Sequence, residues 1–279
     1  MAPIRKKSAL AKIDGMQGVG EERTEQYKGP SFVNKGRSLE HRSPQRSSPR
    51  FSPKRFAVFD VDGTLFRSSL LIELAEELID SGVFEESIRD SYAKEKEAWQ
   101  NRQGSYHDYI SKVVEVFVKN IRGVKFDALK YAGEHVVGRF HDRMYTYTRD
   151  LVKELEAKGY YLLAVSHSPK LVLDEFCKRL GFNKVYGHIY QVGPEDRFTG
   201  EVEDLHLISN KANIVKRAAE KEGLTFKDSI GVGDTEGDIP FLELVEKPIC
   251  FNPSMELYRW AKRTGAEVVV ERKDVVYKV

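Results

Sequence analysis

The sequence predicts an α/β protein: a doubly wound parallel sheet, interrupted directly after its first strand by a separate group of helices. Three observations carry that expectation. Short apolar runs such as Phe56–Phe59 and Tyr160–Val165 have the character of strands buried on both faces. From residue 147 onward, such runs alternate with segments of helical period, the pattern of crossover units. Between residues 67 and 146, apolar side chains recur at helical spacing instead.

Structure is expected to begin at Arg55. Phe56, Ala57, Val58 and Phe59 form the first strand, which ends at Asp60. Leu71, Leu74, Ala75, Leu78 and Ile79 then lie on one helical face, and Tyr106, Ile110, Val113, Phe117 and Ile121 on another. Residues 85–103 are charged and helix-favouring, and Phe126–Met144 reads as a further helix that Gly133 and Gly138 weaken. These apolar stripes read as core packing rather than as a cofactor site.

The alternating part follows. Arg149–Lys158 is a helix closed by Gly159, and Tyr160–Val165 a strand. Pro169–Leu180 reads as a helix capped by Ser168, with Pro169 at its first position and Gly181 beyond its end. Val185–Val192 is a strand, and Arg197–Glu203 belongs to a hairpin. Lys211–Glu222 is a helix, Ser229–Val232 a strand, Ile239–Leu244 a short helix, Pro248–Phe251 a strand and Glu267–Val270 a last strand.

The 279 residues carry a net charge of +2, which hides an asymmetry. Residues 1–55 hold 13 Lys and Arg against 5 Asp and Glu, and the remainder holds 32 against 38. The basic part is rich in Ser, Arg and Pro, with Ser-Pro at Ser43, Ser48 and Ser52. Residues 1–54 are read as a disordered basic tail, a solvated segment through which alone nucleic acid could be bound. No stretch reaches the apolar length of a membrane span, and no apolar run follows Arg5, Lys6 and Lys7 as in a secretory signal. Cys177 and Cys250 sit in apolar contexts and read as buried free thiols, which suits a cytoplasmic protein.

Four features lie at strand ends, where open α/β sheets place their sites. Asp60-Val61-Asp62-Gly63-Thr64 puts two carboxylates in one turn, able to hold a divalent cation or to divide nucleophile and acid/base roles. An acidic turn is the plain alternative. A calcium loop is set aside because Gly comes at its fourth position and Leu71 at its twelfth. Ser166 ends a strand beside a helix start, a place suited to phosphate, with His167 next to it as a shape or substrate contact. Lys211 opens a helix and could offset phosphate charge, with Lys216 as its nearest competitor. Asp234 leaves a strand, and Asp238 follows four residues later in Gly231–Asp238, so both acids can face one metal site; Glu236 is expected to face solvent.

Each feature has an ordinary structural reading. Their joint order, Asp-x-Asp-Gly-Thr, strand-end Ser, Lys, Gly-Asp-x-x-x-Asp, resembles the four motifs of the haloacid dehalogenase (HAD) superfamily. FDVDGTL and GVGDTEGDIPFL carry the likeness, which covers residues 55 to about 255. The helices after the first motif, RFTGEV and Asn252-Pro253 resemble the type IB branch, which includes phosphoserine phosphatases.

That resemblance implies a Rossmann-like core at 55–66 and 147–279 and a helical cap at 67–146. It implies a Mg²⁺-dependent phosphatase acting on a small phosphate monoester, with Asp60 as nucleophile forming an aspartyl phosphate and Asp62 as general acid and base. Mg²⁺ would be held by the Asp60 side chain, the Asp62 carbonyl and Asp234. Thr64, Ser166 and Lys211 would bind the phosphoryl oxygens, and Asp238 would orient Lys211 or a metal-bound water. The sequence departs from phosphoserine phosphatases in three places. Ser69 stands where an amino-gripping Glu is expected, no Arg for a carboxylate stands near Val113, and His167-Ser168 replaces Gly-Gly. With Arg67 and His167, this points to a larger or more anionic substrate than phosphoserine. A phosphotransferase on the same scaffold, and a non-catalytic protein acting through the basic tail, are the competing readings. Oligomeric state is not legible.

Overall fold

Strand β1 (Lys54–Phe59) lies near the middle of an eight-stranded sheet in the computed structural model, which describes residues 53–203 and 210–279. The expected tail, up to residue 52, lies outside the described residues. The other strands are β2 (Tyr161–Pro169), β3 (Lys184–Val192), β4 (Phe198–Glu203), β5 (Leu224–Gly233), β6 (Lys247–Phe251), β7 (Glu267–Arg272) and β8 (Val275–Lys278). Their order is β4-β3-β2-β1-β5-β6-β7-β8. The six inner strands are parallel, and β4 and β8 are antiparallel edges. The chain therefore winds outward from β1 in one direction through β2 and β3 and in the other through β5, β6 and β7. The reversal opens a crevice at the carboxyl end of β1.

Alternate residues of β1 serve opposite faces, as the pleat requires. Phe56 and Val58 pack with helices α7 (Lys211–Glu222), α8 (Ile239–Leu242) and α9 (Met255–Thr264). Ala57 and Phe59 pack on the other face with α5 (Thr146–Ala157) and α6 (Lys170–Lys178). That second core runs on into the helices between β1 and α5: α1 (Leu70–Asp80), α2 (Asp90–Gln100), α3 (Tyr106–Ile121) and α4 (Phe126–Phe140). The helical insert thus shares a core with the sheet. Its two connections pair with each other: Arg67 N–H donates to the Arg143 carbonyl and Tyr145 N–H to the Leu65 carbonyl.

Several boundaries move for identifiable reasons. Helix α4 stops at Phe140, because residues 143–145 are drawn into that pairing. Strand β2 runs through to Pro169, and α6 begins only at Lys170. Ser168 does not cap it; its N–H donates to Ser166 Oγ, and the register against β3 shifts between Val165 and Pro169. Strand β5 starts at Leu224, its polar first half hidden from a periodicity reading but paired with Lys54 and Arg55. Helix α9 escaped the sequence reading although its signals are present: Ser254 caps it by accepting from Leu257 N–H, and Gly265 (φ +75°) closes it. Among the described residues, no helix is long and apolar enough to cross a membrane, and Cys177 and Cys250 are buried free thiols.

Candidate active site

The crevice at the end of β1 opens into a cavity of about 810 Å³ whose floor includes Asp60, Asp62, Ser166, Lys211 and Asp234. Four separate elements supply these residues, Ser166 from within β2 where its register against β3 shifts and the others from strand or helix ends, so the sheet topology gathers positions up to 174 residues apart in sequence.

Asp60 follows β1 directly and is 5% exposed. Its Oδ1 accepts from Lys211 Nζ at 2.6 Å, and the same ammonium donates to Asp238 Oδ1 at 2.6 Å. Lys211 is the first residue of α7, buried along its whole length, whereas Lys216 is exposed. Burial works against its charge, but Asp238 and Asp60 outweigh that and raise it above the ordinary lysine range. Asp238 is fully buried. Its second oxygen accepts from the N–H groups of Asp234 and Thr235, both at 3.0 Å. Asp238 thereby fixes both the lysine and the turn that carries Asp234. Gly233 permits this closeness: a Cβ there would lie 2.6 Å from that of Asp238.

Asp62 turns to another side. Its Oδ2 accepts from Ser166 Oγ at 2.5 Å, and its Oδ1 accepts from Leu70 N–H, the start of α1, at 2.6 Å. It thus joins β2 to the helical insert. Thr64 is fully buried and directs its hydroxyl at Asp234 Oδ1, 3.2 Å away, rather than into the cavity. Its carbonyl accepts from Thr148 Oγ1 at 2.8 Å, a support from α5 that periodicity does not reveal. Gly63, at φ +80°, completes the turn; a Cβ there would stand 2.1 Å from Asp234 Oδ2.

Four carboxylates, Asp60, Asp62, Asp234 and Asp238, against one ammonium leave an excess of negative charge. Burial, acting with Asp238 and Asp62 against Lys211, pushes Asp60 up to about 7. Asp234 is likewise raised, by burial and then by Asp60 and Asp238. Carboxylate oxygens of Asp60, Asp234 and Asp238 lie within 4.8 Å of one another. This all-oxygen donor set, short of positive charge, fits a hard divalent cation.

His167 lines the cavity with its ring stacked on His188 at 5.5 Å between centroids. Arg67 does not line it and lies over the Tyr145 ring, 5.5 Å from its centroid. Glu236 is exposed at the rim and accepts from Ser254 Oγ at 2.8 Å. Tyr106, by its spacing a member of a packing stripe, also reaches the cavity. Burial and then the charges of Asp62, Asp234 and Asp60 raise its phenol above the ordinary tyrosine range. A tyrosine opening a helix in the insert carries no sequence signal of that nearness.

Residues 57–243 match the family model for haloacid dehalogenase-like hydrolases. The chain is 26% identical over 219 residues to the inhibition of morphological differentiation protein of Streptomyces azureus, covering 76% of this chain and 77% of that one. It is 23% identical over 224 residues to a phosphoserine phosphatase of Methanocaldococcus jannaschii, covering 80% and 94%. A solved structure of a protein with unknown function from Bordetella pertussis shares the fold, with a TM-score of 0.58 and 21% identity, covering 78% of this chain and 98% of that one.

Proposed function

The chain belongs to the haloacid dehalogenase-like hydrolase family, and on that premise we propose that it is a Mg²⁺-dependent phosphatase that hydrolyses a phosphate monoester through an aspartyl phosphate on Asp60. The observation that carries this reading is the buried Lys211 bridging Asp60 and Asp238 beside Asp234, in a crevice where two further groups, Asp62 and Ser166, meet.

Asp60, Asp234 and the Asp62 carbonyl would hold Mg²⁺, which when bound offsets the repulsion between a carboxylate and a phosphate dianion. An Asp60 oxygen attacks phosphorus as the bond to the leaving oxygen breaks, and Asp62 gives that oxygen its proton. Asp62 then takes a proton from water as the water oxygen attacks phosphorus, and the bond to Asp60 breaks. Ser166 Oγ and Lys211 Nζ hold phosphoryl oxygens, while Thr64 acts through Asp234, to which its hydroxyl donates. Asp238 orients Lys211. Residues 67–146 form the cap that excludes water, and 55–66 with 147–279 the core.

Asp60→Asn keeps the shape of the site and removes the nucleophile. It is expected to abolish turnover of every ester accepted by the wild type while the circular dichroism spectrum is retained. Substantial residual hydrolysis would overturn the assignment.

A further inference from the structure

The roof of the cavity differs in chemistry from its floor. Eight residues of the helical insert line it, and none is Asp, Glu, Lys or Arg. Leu71, Tyr106, Ile110 and Val114 form its apolar wall, the last three one helical turn apart on α3. Ser69, Ser105 and Ser111 add neutral hydroxyls. The one Lys or Arg in the lining, Lys211, is taken by Asp60 and Asp238. At the rim, Glu256 accepts from Arg259 at 2.8 Å and Glu236 from Ser254. The insert therefore presents no carboxylate, ammonium or guanidinium to pair with a charge on a leaving group, and its one basic side chain in the lining is the imidazole of His107. Burying such a charge against an apolar wall is costly, whereas an apolar group gains by entering. The volume, about 810 Å³, far exceeds the needs of a three-carbon amino acid.

Resting on the phosphatase reading, we propose that this site takes phosphomonoesters of bulky, uncharged, largely apolar alcohols, with Tyr106, Ile110 and Val114 as the leaving-group subsite. The mixed wall of one aromatic ring and branched aliphatic chains suits an aryl-alkyl or branched alkyl body.

The full chain with Mg²⁺ would be assayed on 2-phenylethyl phosphate, O-phosphoserine and phosphocholine, all esters of primary alcohols in which the ammonium makes the latter two the better leaving groups and so works against the expected preference, and on acetyl phosphate as a small reference. For 2-phenylethyl phosphate, kcat/KM is expected to exceed that for phosphoserine and phosphocholine by about 10-fold or more. Ile110→Gln and the isosteric Val114→Thr should each lower the ratio of kcat/KM for 2-phenylethyl phosphate to that for acetyl phosphate by about 3- to 10-fold. The ratio is read because loss of folded enzyme lowers both rates alike. Preference for either charged ester, or an unchanged ratio in both variants, would overturn the subsite and leave hydrolysis intact. Failure to turn over even acetyl phosphate would overturn the phosphatase reading and this inference with it.

Discussion

Lys211 is the residue on which the charge balance of the centre turns, since its ammonium sits 2.6 Å from both Asp60 and Asp238. The same ammonium lies over the Phe241 ring, 6.0 Å from its centroid. Removing the charge leaves carboxylates buried against one another. Breaking such a pair from one side costs about 3–5 kcal/mol. Lys211→Met is therefore expected to abolish turnover and to lower the unfolding free energy by about that much in urea titrations. Adding Asp238→Asn should restore part of the stability and none of the activity. A single variant as stable as wild type would show that the lysine is not needed to balance these acids.

Helix α3 links the site to the core. A single apolar stripe carries Tyr106, Ile110 and Val114 toward the cavity in its first half and buries Val113, Phe117 and Ile121 further along. Ser105 starts the helix by accepting from Asp108 N–H at 3.0 Å. Phe117 is fully buried, edge-on to Phe84 within the insert and to Tyr190 of β3, so one ring ties the insert to the sheet. Phe117→Ala should cost about 3–5 kcal/mol. Because the two parts share one core, the loss should shift a single cooperative unfolding transition rather than split off an early one. Calorimetry of the variant distinguishes the outcomes, and a separate low-temperature peak would show that the insert melts by itself.

At the scale of the whole molecule, crowded acids couple stability, pH and metal. Asp60 is pushed up to about 7 and Asp234 is also raised, so the folded state holds their protons more tightly than the unfolded chain does. Their contribution is therefore present below pH 3.8, the unperturbed value, and is lost as pH rises through about 7. A divalent cation needs both carboxylates ionised, and its binding becomes more favourable over the same range. Millimolar Mg²⁺ is expected to raise the melting temperature more at about pH 7.5 than at about pH 5. An equal shift at both would mean that the ion does not bind these groups.

What the sequence by itself determined was local in origin. Apolar runs four to six residues long, the Asp-x-Asp-Gly turn and the helical period that opens at Lys211 depend on neighbours in the chain, and they placed the parallel strands and Asp60, Asp62, Ser166, Lys211, Asp234 and Asp238 close to strand or helix ends. Helix α9 and edge strand β8 were missed, the first despite legible capping, the second because an exposed four-residue strand has little periodicity. Tertiary structure alone decided which side chains meet. Thr64 faces Asp234 across 170 positions, Asp62 ties Ser166 to α1, and Arg67 lies over Tyr145 instead of lining the cavity. The apolar wall of the roof was likewise invisible, because a stripe that buries one edge in the core and opens the other to a cavity has the same helical period as one that is wholly core. Period reports which face turns inward, and only packing determines whether a neighbour fills the space it faces.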